Sequence, residues 1–157
     1  MARRLGSGGL ALLLSLLFGM GALKASTTEM IISDPRSGTA LYGIDPVSYF
    51  IEGKPQEGRD DYELRFGGLV WRFASAANRA AFEASPALYV PEFGGYDPLA
   101  IEEGYPVPGN PALFAIEGDK LFLFSSAEHR QRFLANAPAR TKAARAQWEE
   151  VKKKLVP

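Results

Sequence analysis

The sequence predicts an α+β fold: two similar units, each a short helix, a β-hairpin and a second helix, packed as one compact domain and closed by a C-terminal helix. Three observations predict it. The stretch GIDPVSYFIEGKP (43–55) returns in altered form as GYDPLAIEEGYP (95–106). YELRFGGLVWRFASAANRAAF (62–82) then lies over LFAIEGDKLFLFSSAEHRQRF (113–133) at a constant offset of 51, which sets Gly67 over Gly118, Trp71 over Phe122, Ser75 over Ser126 and Phe82 over Phe133. After Pro138, Ala144, Trp148, Val151 and Leu155 fall on one helical face while Lys152 to Lys154 face water.

Each unit has the same grammar. Asp45 and Asp97 are followed by proline, a good helix start: the carboxylate caps free N–H groups, and Pro46 or Pro98 takes the first helical position, where a missing N–H costs nothing. Gly53 and Gly104 stop these helices after about two turns, with Pro55 and Pro106 just beyond. Apolar residues alternate on both sides of Gly67-Gly68 and of Gly118-Asp119, which predicts a hairpin with a tight turn. Ser75 and Ser126 cap the helix that follows, and Phe82 and Phe133 return to its buried face seven residues later. A unit of about fifty residues has a meagre core, so two together bury faces that neither hides alone. The segments YVPEFGG and YPVPGNP predict ordered turns or connecting loops.

The first residues stand apart. Arg3 and Arg4, a long apolar run and then small residues follow the order of a secretory signal, with cleavage after Ala25 or Ala22. Leu10 to Leu23 is short of the ~20 residues of a membrane span, whereas Leu5 to Leu23 nearly reaches it, so a retained anchor is the alternative. The expected organisation is a leader at 1–25, a first unit at 26–93 and a second at 94–157 with the terminal helix. The expected place is the periplasm, or the membrane surface if the leader stays attached.

With 46% apolar and 23% charged residues in 157, the chain reads as globular. It has no cysteine, so an oxidising compartment brings no disulfide, and thiol nucleophiles and thiolate metal sites are excluded. Acidic and basic residues number 18 each; Arg3, Arg4 and Lys24 leave with the leader, so 15 basic face 18 acidic side chains. That balance does not suit a nucleic-acid surface. From Ser26 to His129 there are 7 basic and 16 acidic residues, and from Arg130 onward 8 and 2. The basic end reads as a solvated helix face or as a docking surface for an acidic partner or anionic lipid.

No catalytic constellation is recognisable. A Ser-His-Asp set would need His129, the only histidine, with a serine lacking a nucleophile-elbow context. Glu92, Asp97, Glu102 and Glu103 could hide an acid–base pair, which has no sequence spacing of its own. The Gly-Gly pairs do not lead into a phosphate-cradling Gly-Lys-Ser turn. Tyrosines crowd the loops, where an apolar ring can be buried with its hydroxyl reaching water or a ligand. Tyr42, Asp45, Tyr96, Asp97 and His129, around the YGIDP and GGYDP turns, are the candidates for a ligand or partner groove between the units.

The pattern DPVSYF, then GLVWRFASAANRAAFEASPALYV, then FGGYDP resembles the YHS-domain family, in particular its small exported bacterial members. The likeness covers about Asp34 to Trp148. It implies a compact metal-trafficking type of module, met in copper-transporting ATPases and some oxygenases. In metal-binding members a cysteine follows DPV and two more bracket the turn between hairpin and helix. Carried over, those positions are Ser48, Ala74 and Asn78, and in the second unit Ala100, Ser125 and His129. Exported relatives often keep a cysteine after GGY, where this chain has Asp97. The fold-carrying residues remain and the soft ligands are gone, so a tight copper(I) or zinc site of the cysteine type is not expected.

The expectation is a non-catalytic binding or assembly module with no cofactor, contacting a small ligand or a periplasmic or membrane protein not named by the sequence, and no nucleic acid. The alternative is a metal-handling protein that binds copper or a similar ion weakly through His129 with Asp97 or Asp45.

Overall fold

Every element of the first unit recurs in the second. The first runs α1 (Ser48–Ile51), β1 (Arg59–Phe66), β2 (Leu69–Phe73), α2 (Ala76–Ala84) and α3 (Pro86–Tyr89). The second runs α4 (Pro98–Glu102), β3 (Asn110–Glu117), β4 (Lys120–Phe124), α5 (Ala127–Leu134) and α6 (Ala137–Leu155). This computed structural model describes residues 30–155, so the leader at 1–25, its cleavage sites and its alternative as an anchor lie outside the described residues. Among those described, no helix is long and apolar enough to cross a membrane.

Both hairpins are antiparallel and turn where the sequence predicts. Gly67 and Gly68, and Gly118 and Asp119, all have positive φ (59°, 83°, 56° and 59°). Two such residues in a row make the mirror-image turn whose twist matches the flanking strands. Even the irregularity is duplicated. The ladder skips residues 60–62 between Arg59↔Phe73 and Glu63↔Arg72, and residues 111–113 between Asn110↔Phe124 and Phe114↔Leu123.

The helices after the hairpins start as the sequence predicts. Ser75 Oγ accepts from the Asn78 N–H and Ser126 Oγ from the His129 N–H, each at 3.1 Å. Phe82 and Phe133 are fully buried. Phe82 lies 4.9 Å from Trp71 and 5.2 Å from Phe73, and Phe133 lies 4.8 Å from Phe122 and 5.2 Å from Phe124. The two aromatic triads merge into one continuous core.

The opening helices are shorter than the two turns predicted. The chain must turn at Gly53 and Gly104 so that the Gln56 carbonyl reaches the Asp45 N–H and the Val107 carbonyl reaches the Asp97 N–H, each at 2.9 Å. A second helical turn would carry those carbonyls past their donors. The sequence reading also missed α3, a single turn with Pro86 at its start.

Ahead of each aspartate the chain winds through a left-handed 3-10 turn, Leu41–Gly43 and Glu92–Gly95. Leu41, Tyr42 and Gly43 have φ of 50°, 55° and 85°, and Phe93, Gly94 and Gly95 have 55°, 64° and 88°. Ile32 joins the two turns: its N–H donates to the Gly94 carbonyl and its carbonyl accepts from the Leu41 N–H, both at 2.9 Å. Tyr49 ties α1 to the second unit, donating to the Pro111 carbonyl at 2.9 Å and meeting Phe114 edge-on at 4.8 Å. The terminal helix α6 forms as predicted and packs chiefly along α4, with Ala144 and Val151 buried and Trp148 and Leu155 partly so.

Candidate functional site

A fully buried aspartate sits at the centre of each unit. Asp45 Oδ1 accepts from the Val47 N–H at 2.8 Å; its Oδ2 accepts from the Ala74 N–H at 2.9 Å and from Asn78 Nδ2 at 2.6 Å. Asp97 Oδ1 accepts from the Leu99 N–H at 2.9 Å. Its Oδ2 accepts from the Ser125 N–H at 2.7 Å, from Ser125 Oγ at 2.6 Å and from His129 Nδ1 at 2.8 Å. One oxygen therefore starts the short helix, and the other ties it to the head of the helix after the hairpin. A buried carboxylate needs such donors, because desolvation is costly unless charge-assisted hydrogen bonds replace water. The positive ends of α2 and α5 add to the same stabilisation.

The positions carried over from the family resemblance gather here. Ala74 and Asn78 donate to Asp45, and Ser48 Oγ donates to the Asp45 carbonyl at 2.7 Å while accepting from the Gln56 N–H at 3.0 Å. Ser125 and His129 surround Asp97, and Ala100 is buried nearby on α4. Asn78 and His129, offset by 51, do the same task with different chemistry.

Of the five groove candidates, the fold brings Asp97 and His129 together. Asp45 belongs to the matching cluster in the other unit. Tyr96 is buried with its ring 6.2 Å from that of Trp148, and Tyr42 is 44% exposed on its left-handed turn. A cavity of about 540 Å³ opens elsewhere, between the turn of the second hairpin and α6. Glu102 pairs with Arg140 at 2.8 Å, and Glu92 with Arg145 at 3.4 Å, so both are committed to α6.

Donation from Nδ1 to the carboxylate leaves Nε2 of His129 as the nitrogen turned away from Asp97, in a side chain 24% exposed. The Ser125 hydroxyl is bonded to the carboxylate and not to the imidazole, so the three residues do not form a serine–histidine relay. Among the described residues, no three His, Asp or Glu side chains converge to hold a metal ion. Nε2 of His129 is the nitrogen donor this cluster offers. Beside Asp45, burial pushes the Tyr49 hydroxyl well above the ordinary phenol range, and the Asp45 charge pushes it further in the same direction.

Sequence reading singled out both aspartates, set His129 beside Asp97 or Asp45, and named Ala74, Asn78 and Ser125 only as positions carried over from the resemblance; it did not read them as donors to the carboxylates. The signal was the duplication itself, which aligns Ala74 with Ser125 and Asn78 with His129 four residues apart at the head of each helix. Searches of family models, of curated proteins and of solved structures find no match to this chain.

Proposed function

We propose that this chain is an exported, non-catalytic binding or assembly module on a YHS-like scaffold, acting by contact with a protein or small ligand. One observation carries the reading: the two central carboxylates are spent on their own chain. A carboxylate offers about four acceptor sites. Asp97 receives four donors, one on Oδ1 from Leu99 and three on Oδ2 from Ser125 (twice) and His129, and Asp45 receives three. A general base or metal ligand must reach its proton or ion, and both carboxylates are fully buried and bonded to their own chain. The same network stands where the family resemblance places sulfur ligands, which supports a scaffold kept for its shape. Its partner is a periplasmic or membrane protein, with the membrane itself involved if the N-terminal apolar segment is retained.

A second reading has one observation in its favour. Asp97 orients His129 in the way that carboxylates orient metal-bound imidazoles, through the ring nitrogen opposite the metal. This supports weak copper or similar binding at Nε2. Titration of the purified protein with copper and zinc, with and without His129→Ala, separates the two. Absence of stoichiometric binding is expected; stoichiometric binding lost in the variant would replace the module reading with metal handling. Co-purification from native periplasm and membranes then tests for the partner and for a retained anchor.

A further inference from the structure

The duplication supplies an internal control for one part of the surface. At the offset of 51, α3 corresponds to the first turn of α6, from Ala137 to Arg140. The first copy is cut short at Val90-Pro91, because proline disfavours helix in the residue before it. The second runs on to Leu155. In the first unit the space beside the hairpin turn is filled: Phe66 meets Phe82 edge-on at 5.6 Å, and Phe82 stacks on Tyr89 at 6.4 Å. The counterparts of Phe66, Leu69 and Tyr89 are Glu117, Lys120 and Arg140, and Arg140 is drawn away to Glu102. The aromatic filling is gone, and the cavity of about 540 Å³ stands in its place under the extended helix.

Its chemistry is divided. Phe122, Ala137, Pro138 and the exposed Ala146 are its apolar lining, and Thr141 adds a hydroxyl-bearing side chain. Lys120, Lys142, Arg145 and Glu117 are its charged lining. Lys120 and Arg145 share Glu92, at 3.9 and 3.4 Å, so three cations face two carboxylates and one positive charge remains. Lys142 is exposed and has no ion pair or hydrogen bond among the described residues.

We infer that this cavity binds a small amphipathic monocarboxylate, a medium-length alkyl or aryl chain ending in one carboxylate. The volume falls within the ~300–1,000 Å³ of small-molecule sites. The apolar lining takes the chain, the uncompensated Lys142 suits the carboxylate, and Glu117 disfavours a second negative charge. The inference gives the proposed module a ligand class and rests on that reading, yet the copper titration addresses His129, so each can fail alone.

The test is titration of the purified full chain with octanoate and with octyltrimethylammonium, followed by amide NMR shifts and calorimetry. Octanoate is expected to saturate at one per chain, with shifts centred on the β3–β4 turn and α6, while the cationic analogue does not bind. Lys142→Glu, a charge reversal, and Ala146→Trp, which fills the cavity from an exposed helix position, are each expected to weaken binding by roughly tenfold or more, equivalent to about 1.4 kcal/mol. Unchanged melting temperatures would show that both variants fold. Octanoate that never saturates, equal binding of the cationic analogue, or affinity untouched by both substitutions would overturn the inference.

Discussion

The imidazole of His129 donates from Nδ1 to Oδ2 of Asp97 across 2.8 Å, in the position where the first unit has an Asn78 amide donating to Asp45 at 2.6 Å. Two side chains of different chemistry thus fill one structural role. His129→Asn is therefore expected to keep the fold and cost less than about 1 kcal/mol, whereas His129→Ala removes the donor and costs about 1–2 kcal/mol. Urea unfolding of both variants checks the ranking, and equal losses would show that the asparagine solution does not transfer.

The aspartates themselves carry more. In Asp97→Asn, at most one oxygen can remain where two now accept, and the amide's N–H groups would face Ser125 and His129 or the Leu99 N–H. A loss of about 3 kcal/mol is expected, with a similar loss for Asp45→Asn, because buried donors are left unsatisfied in each case. Denaturation midpoints of the two variants should move together.

Tyr49 gives stability an alkaline limit. Its hydroxyl is held protonated by burial and by the Asp45 charge, so its pKa is higher folded than unfolded. The unfolded chain then loses its proton first as pH rises past about 10, and the stabilisation is complete below that value and lost above it. Tyr49→Phe is expected to flatten the fall in melting temperature above pH ~10, while costing about 1 kcal/mol at neutral pH through the lost hydrogen bond to Pro111. A pH series of melting curves for both proteins decides it.

The left-handed turns make matching positions unequal. Gly94 has φ of 64°, and a β-carbon there would stand 1.8 Å from the Met30 carbonyl oxygen, against backbone that cannot step aside. Its counterpart Tyr42 has φ of 55° with a side chain 44% exposed. Gly94→Ala is expected to destabilise by more than about 3 kcal/mol, and Tyr42→Gly by less than that, since relief of strain offsets the entropy of glycine. Thermal unfolding of the two variants reads the contrast directly.

How much of this was legible in the sequence follows from the range over which each residue acts. The caps at Ser75 and Ser126, the hairpin turns at Gly67 and Gly118 and the return of Phe82 and Phe133 depend on neighbours within a few residues, and all were readable. Asp45 and Asp97 were read as caps, and their Oδ1 atoms do cap. Their Oδ2 atoms reach 28 to 33 residues along the chain to Ala74, Asn78, Ser125 and His129, and local pattern carries no record of that. The cavity was hidden for a related reason. It arises because one copy of a helix ends at Tyr89, ahead of Pro91, and the other continues, a difference visible only once both copies are laid on the fold.

The hydrogen bonds of Ile32 bear on the order of events during synthesis. The amino-terminal segment emerges from the ribosome first, yet its N–H finds its acceptor only when Gly94 has been made. Without Gly94 the earlier half keeps the Leu41 bond to the Ile32 carbonyl and lacks the acceptor of the Ile32 N–H. The seam needs both halves, because Ile32 of the first unit makes one hydrogen bond with each of them.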